Sequence, residues 1–205
     1  MLFDGVDLTN WRTGVFGDPP EYEFAEGGVV LPQVASLSGM TYTGEAPRTP
    51  YELRVDATKR YGADFFLGVT FPVRDAHLTL VLGGWGGAVT GLSCIDGLDA
   101  ADNDTRAWRD YPNGKRQCVV VHVDDTRVRA TVNGDTVVDR RLAPDATLSL
   151  RPEVLASRPL GVSAYASSTV VHRVTVRECT RARDAYRLDA AGDAGPVGAV
   201  RDAPN

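Results

Sequence analysis

The sequence predicts an all-β domain built as two antiparallel sheets packed face to face, and three observations carry that prediction. Apolar and polar residues alternate with period two along most of the chain, no long 3.6-residue stripe precedes residue 180, and turns rich in Gly, Pro, Asn and Asp separate ten or more short runs. Such a pattern belongs to a sandwich or barrel whose sheets are each covered on one side.

The runs are taken in chain order. Leu2, Phe3 and Leu8 are too apolar to stay free and should return beside the last strand, with Trp11 plugging the N-terminal segment into the core. Tyr22 to Leu31 reads as a hairpin turning at Gly27-Gly28. Tyr51, Leu53, Val55 and Ala57 share a face opposite Glu52, Arg54 and Asp56; Phe65, Leu67, Val69 and Phe71 oppose Phe66, Gly68 and Thr70. Leu78, Leu80 and Leu82 oppose His77, Thr79 and Val81. Val119, Val121 and Val123 lead to a turn at Asp124-Asp125. Val128, Ala130 and Val132 then run to Asn133-Gly134, a type I′ hairpin signal, with Thr136 to Val138 returning. Leu160, Val162 and Ala164 and a closing strand from Val170 to Cys179 complete the set. The expected core is Leu53, Val55, Phe65, Leu67, Leu78, Leu80, Val121, Val123, Val128, Val132, Val162 and Val174, because a one-residue slip would turn these rows to water. Gly83 to Asn113 and Leu142 to Pro159 read as long loops, the second with a helical turn at Glu153 to Ala156. Residues 1–180 form the expected sandwich domain. Residues 181–205 form a tail or linker with room for one short helix at Arg183 to Ala191, and 192–205 offer too few apolar anchors to offset ordering.

Composition narrows the function classes. At 205 residues, 43% hydrophobic and 24% charged, the chain is long enough for one ordinary core. Its net charge of −5 and lack of a basic stripe argue against nucleic acid as a partner. Twenty of its 22 basic residues are arginines, which are spread along the chain rather than clustered. Cys94, Cys118 and Cys179 allow at most one disulfide and read as reduced thiols. No apolar run reaches membrane-spanning length. The start lacks a secretory pattern, so the expected compartment is cytoplasmic as written, or extracytoplasmic if the chain is an excised part of a larger polypeptide.

Candidate chemistry is sparse. Glu21-x-Glu23-x-x-Glu26 is similar to the acid-catalyst strand of laminarinase-like glycoside hydrolases, but Gly27-Gly28 turns it at once, and it reads as a solvated hairpin. Asp96, Asp99, Asp102, Asp104 and Asp110 are the main polar concentration. Their oxygens suit turn formation, sugar hydroxyls or Ca²⁺, with Asp102 and Asp104 the metal candidates, or two carboxylates flanking a glycosidic bond. Trp85, between paired glycines, and Trp108, beside Arg106 and Arg109, are either loop anchors or stacking platforms for a sugar. His77, His122 and His172 lie on separate strands without metal-ligand spacing.

The opening Leu2-Phe3-Asp4-Gly5-x-x-Leu8-Thr9-Asn10-Trp11 resembles the "LFDGkdLtgW" start of the 3-keto-disaccharide hydrolase domains, a concanavalin A-like or laminin G-like jelly roll. Tyr51 to Val55 is similar to that family's "feLrvefr" strand, Val128 to Gly134 to its "vtvwlNG" hairpin, and Val170 to Arg177 to its closing "vrFrNIrI" strand. The likeness spans residues 2–179. Ala63 to Gly68 falls where the family has "nSGvfFR" but lacks the serine and arginine. In His77 to Leu82 the acid of the family's "yEvQilD" strand is missing, leaving Asp96 as the nearest acid.

Two functions follow as expectations, with a third behind them. The first is a non-catalytic carbohydrate-binding or accessory module. Its shallow groove on the concave sheet would be floored by Glu52, Arg54, Asp56, Thr70, His77 and Thr79 and rimmed by Trp85, Trp108, Arg109 and the Asp96–Asp104 loop, for a glycan or small saccharide. The second, which the resemblance implies, is an enzyme acting on a disaccharide or oxidised sugar, with Asp96 as its catalytic carboxylate. The third is a protein-interaction domain of a larger protein. No cofactor is expected apart from Ca²⁺.

Overall fold

The computed structural model describes residues 1–13 and 22–179. The strands are β1 (Trp11–Thr13), β2 (Phe24–Ala25), β3 (Gly28–Leu31), β4 (Leu37–Tyr42), β5 (Tyr51–Gly62), β6 (Leu67–Val73) and β7 (Ala76–Gly84). They continue with β8 (Val89–Ser93), β9 (Ala107–Trp108), β10 (Arg116–Asp124), β11 (Arg127–Val132), β12 (Asp135–Arg141), β13 (Gly161–Tyr165) and β14 (Ser167–Glu178). A 3-10 helix, Pro152–Ser157, is the one helix among the described residues. The front sheet has the order β1-β4-β13-β6-β7-β8-β9 and the back sheet β12-β11-β10-β5-β14-β3-β2, every pairing antiparallel. The fold is a two-sheet jelly-roll sandwich.

Alternation decides what each strand hides. On β7, Leu78, Leu80 and Leu82 are fully buried between the sheets; on β5, Leu53, Val55 and Ala57 meet them from the other side. At a fully buried leucine, burial contributes roughly 1.5–3 kcal/mol, so register is fixed by many such rows at once. The N-terminal segment returns as expected: the Leu2 and Phe3 amides donate to the Val174 carbonyl at 3.0 Å. Trp11 packs edge-on against Phe3 and donates from its indole nitrogen to the Leu2 carbonyl at 2.8 Å. Asn133 and Gly134, at φ 54° and 90°, form the left-handed pair that a type I′ hairpin between β11 and β12 requires.

Phe65 departs from the expected core. Strand β6 begins only at Leu67, and a bend at Phe66 breaks the alternation before it. Phe66 therefore turns inward, fully buried against Tyr111 at a centroid distance of 4.9 Å, while Phe65 turns outward to meet Tyr165 at 6.0 Å. The stretch Gly83 to Asn113 is not all loop either, since it contains β8 and β9. Gly91 conceals β8 from sequence reading, because a β-carbon there would lie 3.0 Å from Thr105 Oγ1 and 3.1 Å from the Thr105 carbonyl oxygen. The following loop folds back onto that strand, and only glycine leaves room. The expected tail at 181–205, with its helix at 183–191, and Glu21 lie outside the described residues. Glu23 and Glu26 sit on the exposed β2–β3 hairpin and pair with Arg60. No helix among the described residues is long and apolar enough to cross a membrane.

Candidate functional site

The outer face of the front sheet is paved with small side chains. Strand register aligns Ser93, Thr79, Thr70, Gly161 and Thr41 in one row across it, and Gly91, Val81, Gly68, Ser163 and Gly39 in the next. With so little bulk above the strands, other groups settle onto the floor. The 3-10 helix covers one end: a β-carbon on Gly161 would come 2.8 Å from the Ser157 carbonyl oxygen, and Thr41 donates its hydroxyl to the Ala156 carbonyl at 2.8 Å. The Tyr22 hydroxyl bonds both the amide and the carbonyl of Gly39 at 2.9 Å. Between these covers a pocket of about 480 Å³ stays open over Thr79, Val81 and Ser93.

Three aromatic rings stand around it. Phe65 and Tyr165 form one tilted pair, the tyrosine 42% exposed. Trp85, 41% exposed, comes from the β7–β8 turn, where a bulge between Leu82 and Gly84 and a left-handed backbone at Trp85 (φ 50°) project the indole outward. Gly86 and Gly87 follow at φ 89° and 106°, conformations that glycine adopts without strain. Asp64 clamps this rim. Its Oδ1 accepts from the Phe65 amide at 2.7 Å and its Oδ2 from the Gly86 amide at 3.2 Å, so one carboxylate ties the β5–β6 connection to the tryptophan turn.

The opposite wall is ionic. Arg151 donates from Nη1 to Asp99 at 2.6 Å and from Nη2 and Nε to Glu153 at 3.3 and 3.4 Å. Asp99 also accepts from the Ser93 hydroxyl at 2.8 Å and the Cys94 thiol at 3.1 Å. Burial pushes the Asp99 pKa up, but the Cys94 and Ser93 bonds and the Arg151 charge outweigh it and hold the carboxyl below its ordinary value. The Arg151 hydrogen bond does the same for Glu153. In the second of the two rows across the front sheet, the Ser163 hydroxyl is fully buried without a hydrogen-bond partner among the described residues.

Of the residues singled out from sequence, Trp85 and Thr79 line this pocket, Asp99 stands behind it on Arg151 and Ser93, and the others lie elsewhere. Arg54 sits on the outer face of the back sheet, paired at 2.9 Å with Asp56, which also contacts Arg116 at 3.3 Å. The expected floor is therefore split, because Glu52, Arg54 and Asp56 belong to one sheet and Thr70, His77 and Thr79 to the other. His77 starts β7 opposite Pro72, outside the pocket lining, its pKa lowered by burial and by the Arg158 charge. Asp96 occupies an exposed turn at φ 52°, its Oδ1 accepting from the Thr147 amide at 2.8 Å. Asp104 pairs with Arg140, Arg109 with Asp135 at 3.0 Å, and exposed Asp102 belongs to a turn closed onto the Asp99 carbonyl. Trp108 is 70% exposed on the edge strand β9, with the Arg106 guanidinium 5.9 Å from its ring.

Asn103 organises this acidic stretch. Its side-chain nitrogen donates to the Leu92 and Leu98 carbonyls at 2.7 and 3.1 Å, and its oxygen accepts from the Thr105 amide and hydroxyl at 2.9 and 2.6 Å. Among the described residues no three His, Cys, Asp or Glu side chains converge as a metal-ligand set, and Cys94 and Cys118 are not joined in a disulfide. Asp64, Phe65, Tyr165, Arg151 and Glu153 were not anticipated from sequence. They come from connections up to a hundred residues apart, and only the long loop at 142–159 hinted at part of the set.

No family model matches the sequence, and no curated protein matches it. Solved structures do. The carbohydrate-binding module CBM66 from Bacillus subtilis aligns at TM-score 0.56 and 9% identity over 84% of this chain and 98% of its own. The apo Crh5 transglycosylase aligns at 0.62 and 10%, covering 88% and 83% respectively. SCLam, a non-specific endo-β-1,3(4)-glucanase of family GH16, aligns at 0.54 and 12%, covering 84% and 86%. What the chain shares with them is the jelly roll. At such identities the likeness extends to fold and no further.

Proposed function

We propose that the chain is a non-catalytic carbohydrate-binding or accessory module whose ligand lies in the front-sheet pocket. One observation carries this reading: an exposed Trp85, held outward by its turn, stands with Phe65 and Tyr165 around a pocket edged by hydroxyls and carboxylates. A sugar offers an apolar C–H face to stack on aromatic rings and hydroxyls at its edges to exchange hydrogen bonds with Asp64, Ser93 and Glu153. The binding and glycan-processing activities named for the aligned structures support the ligand class, as does the resemblance of Leu2 to Trp11 and of the Asn133-Gly134 hairpin to 3-keto-disaccharide hydrolase domains.

Binding is favoured over hydrolysis by the ionic wall. A general acid must carry a proton near neutral pH, which calls for a raised pKa, whereas Asp99 and Glu153 are both held below the ordinary range. An enzymatic reading would draw on Asp64 before Asp96, because Asp96 points to Thr147, away from the pocket lining. Calorimetric titration against a panel of oligosaccharides tests the proposal. Trp85→Ala should weaken the best ligand about tenfold or more, roughly 1.4 kcal/mol, while Trp108→Ala should leave affinity within about twofold, well under 1 kcal/mol. Equal losses at the two tryptophans, or a wild-type chain that binds no saccharide, would overturn it.

A further inference from the structure

The charges around the pocket do not balance. Asp64 and Glu153 bring carboxylates to the lining, and the cation there, Arg151, has its Nη1, Nη2 and Nε donors directed at Glu153 and at Asp99 behind it. An anionic ligand entering here meets a guanidinium already engaged and carboxylates on both sides. The Asp64 carboxylate is fixed to the turn carrying Trp85 through the Gly86 amide at 3.2 Å, so an acid and an exposed indole share one rim. A carboxylate beside an aromatic face is the combination that recognises an ammonium group, through a charge-assisted hydrogen bond and a cation–π contact.

We propose that the pocket selects sugars by charge, accepting an amino sugar with its ammonium on the Asp64–Trp85 rim and disfavouring uronic acids. This inference rests on the carbohydrate-binding reading above. The test is calorimetric titration of the full chain with oligomers of equal length made of glucosamine, N-acetylglucosamine, glucose and galacturonate. At low salt the glucosamine oligomer should bind about threefold or more tighter than the glucose oligomer, the scale of one partly exposed charge pair. The galacturonate oligomer should be the weakest of the four. In about 1 M salt, where screening acts beyond roughly 3 Å, the gap should shrink. Asp64→Asn, which keeps an oxygen for the Phe65 amide, should erase the difference between glucosamine and glucose. Glu153→Gln, at the exposed opposite rim, should narrow it and serves if the first variant fails to fold. Equal affinity for glucosamine and N-acetylglucosamine, or galacturonate binding best, overturns charge selection and leaves the pocket as a sugar site. Absence of binding by every oligomer removes the carbohydrate reading itself.

Discussion

The two outer faces of the sandwich are both polar in sequence and differ completely in what their polar groups do. On the back sheet the outward side chains are long and answer one another: Arg177 donates to Glu52 at 2.8 Å, Arg127 to Asp139 at 2.6 Å, and Arg54 with Arg116 encloses a buried Asp56. On that face these charges are engaged with one another. On the front sheet the outward side chains over the pocket floor are mostly hydroxyls and hydrogen atoms, too short to cover their own strands, so loops and a 3-10 helix supply the cover and leave a gap. Polarity of a sheet face says little about binding. Side-chain length and the engagement of each charge decide it.

The largest effect should come at the adjacent phenylalanines, which separate the interior from the front face. Phe66→Ala removes a fully buried ring from the core and should cost about 3–5 kcal/mol in denaturant unfolding. Phe65→Ala loses its contact with Tyr165 and should cost about 1 kcal/mol, with its main effect on saccharide affinity. Similar stability losses for both would mean that the bend at Phe66 does not divide inside from outside.

A smaller effect tests the back face as scaffold alone. Burial raises the Asp56 pKa, but Arg54 and Arg116 outweigh it and hold the carboxyl below 3.8. Its contribution to stability is thus present above that value and is lost as pH falls through the folded value. Asp56→Ala should destabilise the fold by about 1–3 kcal/mol and leave saccharide affinity unchanged. Weakened binding in that variant would show that the two faces communicate.

The smallest effect is a pH dependence at the irregularity in β14 between Val171 and Arg173. The His172 pKa is lowered chiefly by burial; the Gly27 carbonyl, Asp56 and Glu26 oppose this and Arg116 adds to it. Nε2 lies 2.8 Å from the Thr58 hydroxyl and Nδ1 3.2 Å from the Gly27 carbonyl, an arrangement suited to a neutral ring with its proton on Nδ1. The unfolded chain then binds more protons below pH 6.5, so stability should be full above that value and decline as pH falls toward the folded pKa. His77, also lowered by burial, acts in the same direction. Unfolding curves of His172→Gln should flatten part of this decline; an unchanged slope would place the titration elsewhere.

The strands were legible because their physics is local. Leu78, Leu80 and Leu82 announce a buried row in five residues, and Asn133-Gly134 announces its turn in two. The pocket was not legible for the opposite reason. Asp64 meets Gly86, Tyr165 meets Phe65, and Arg151 meets Asp99, all through pairings that no periodicity encodes. Treating Arg54 and Thr79 as one floor followed from the same gap, since alternation gives the face of a strand but not the sheet to which it belongs. The acidic loop hid its organiser in another way. Its density of aspartates drew attention from Asn103, whose side chain ties the loop to Leu92, Leu98 and Thr105.

Much of the pocket wall sits on separate connections, at 64–65, 85 and 151–154, with Leu37 and Tyr165 at paired strand ends, while the floor is held by hydrogen-bonded strands and the core beneath it. The walls on those connections can therefore be lengthened, shortened or exchanged without disturbing the register of the sheet, since insertions in surface connections cost little. Recognition and folding are written in different parts of the chain. A designer wishing to retarget this scaffold would diversify those connections together and keep Gly68, Gly91 and Gly161, on which the space for the walls depends.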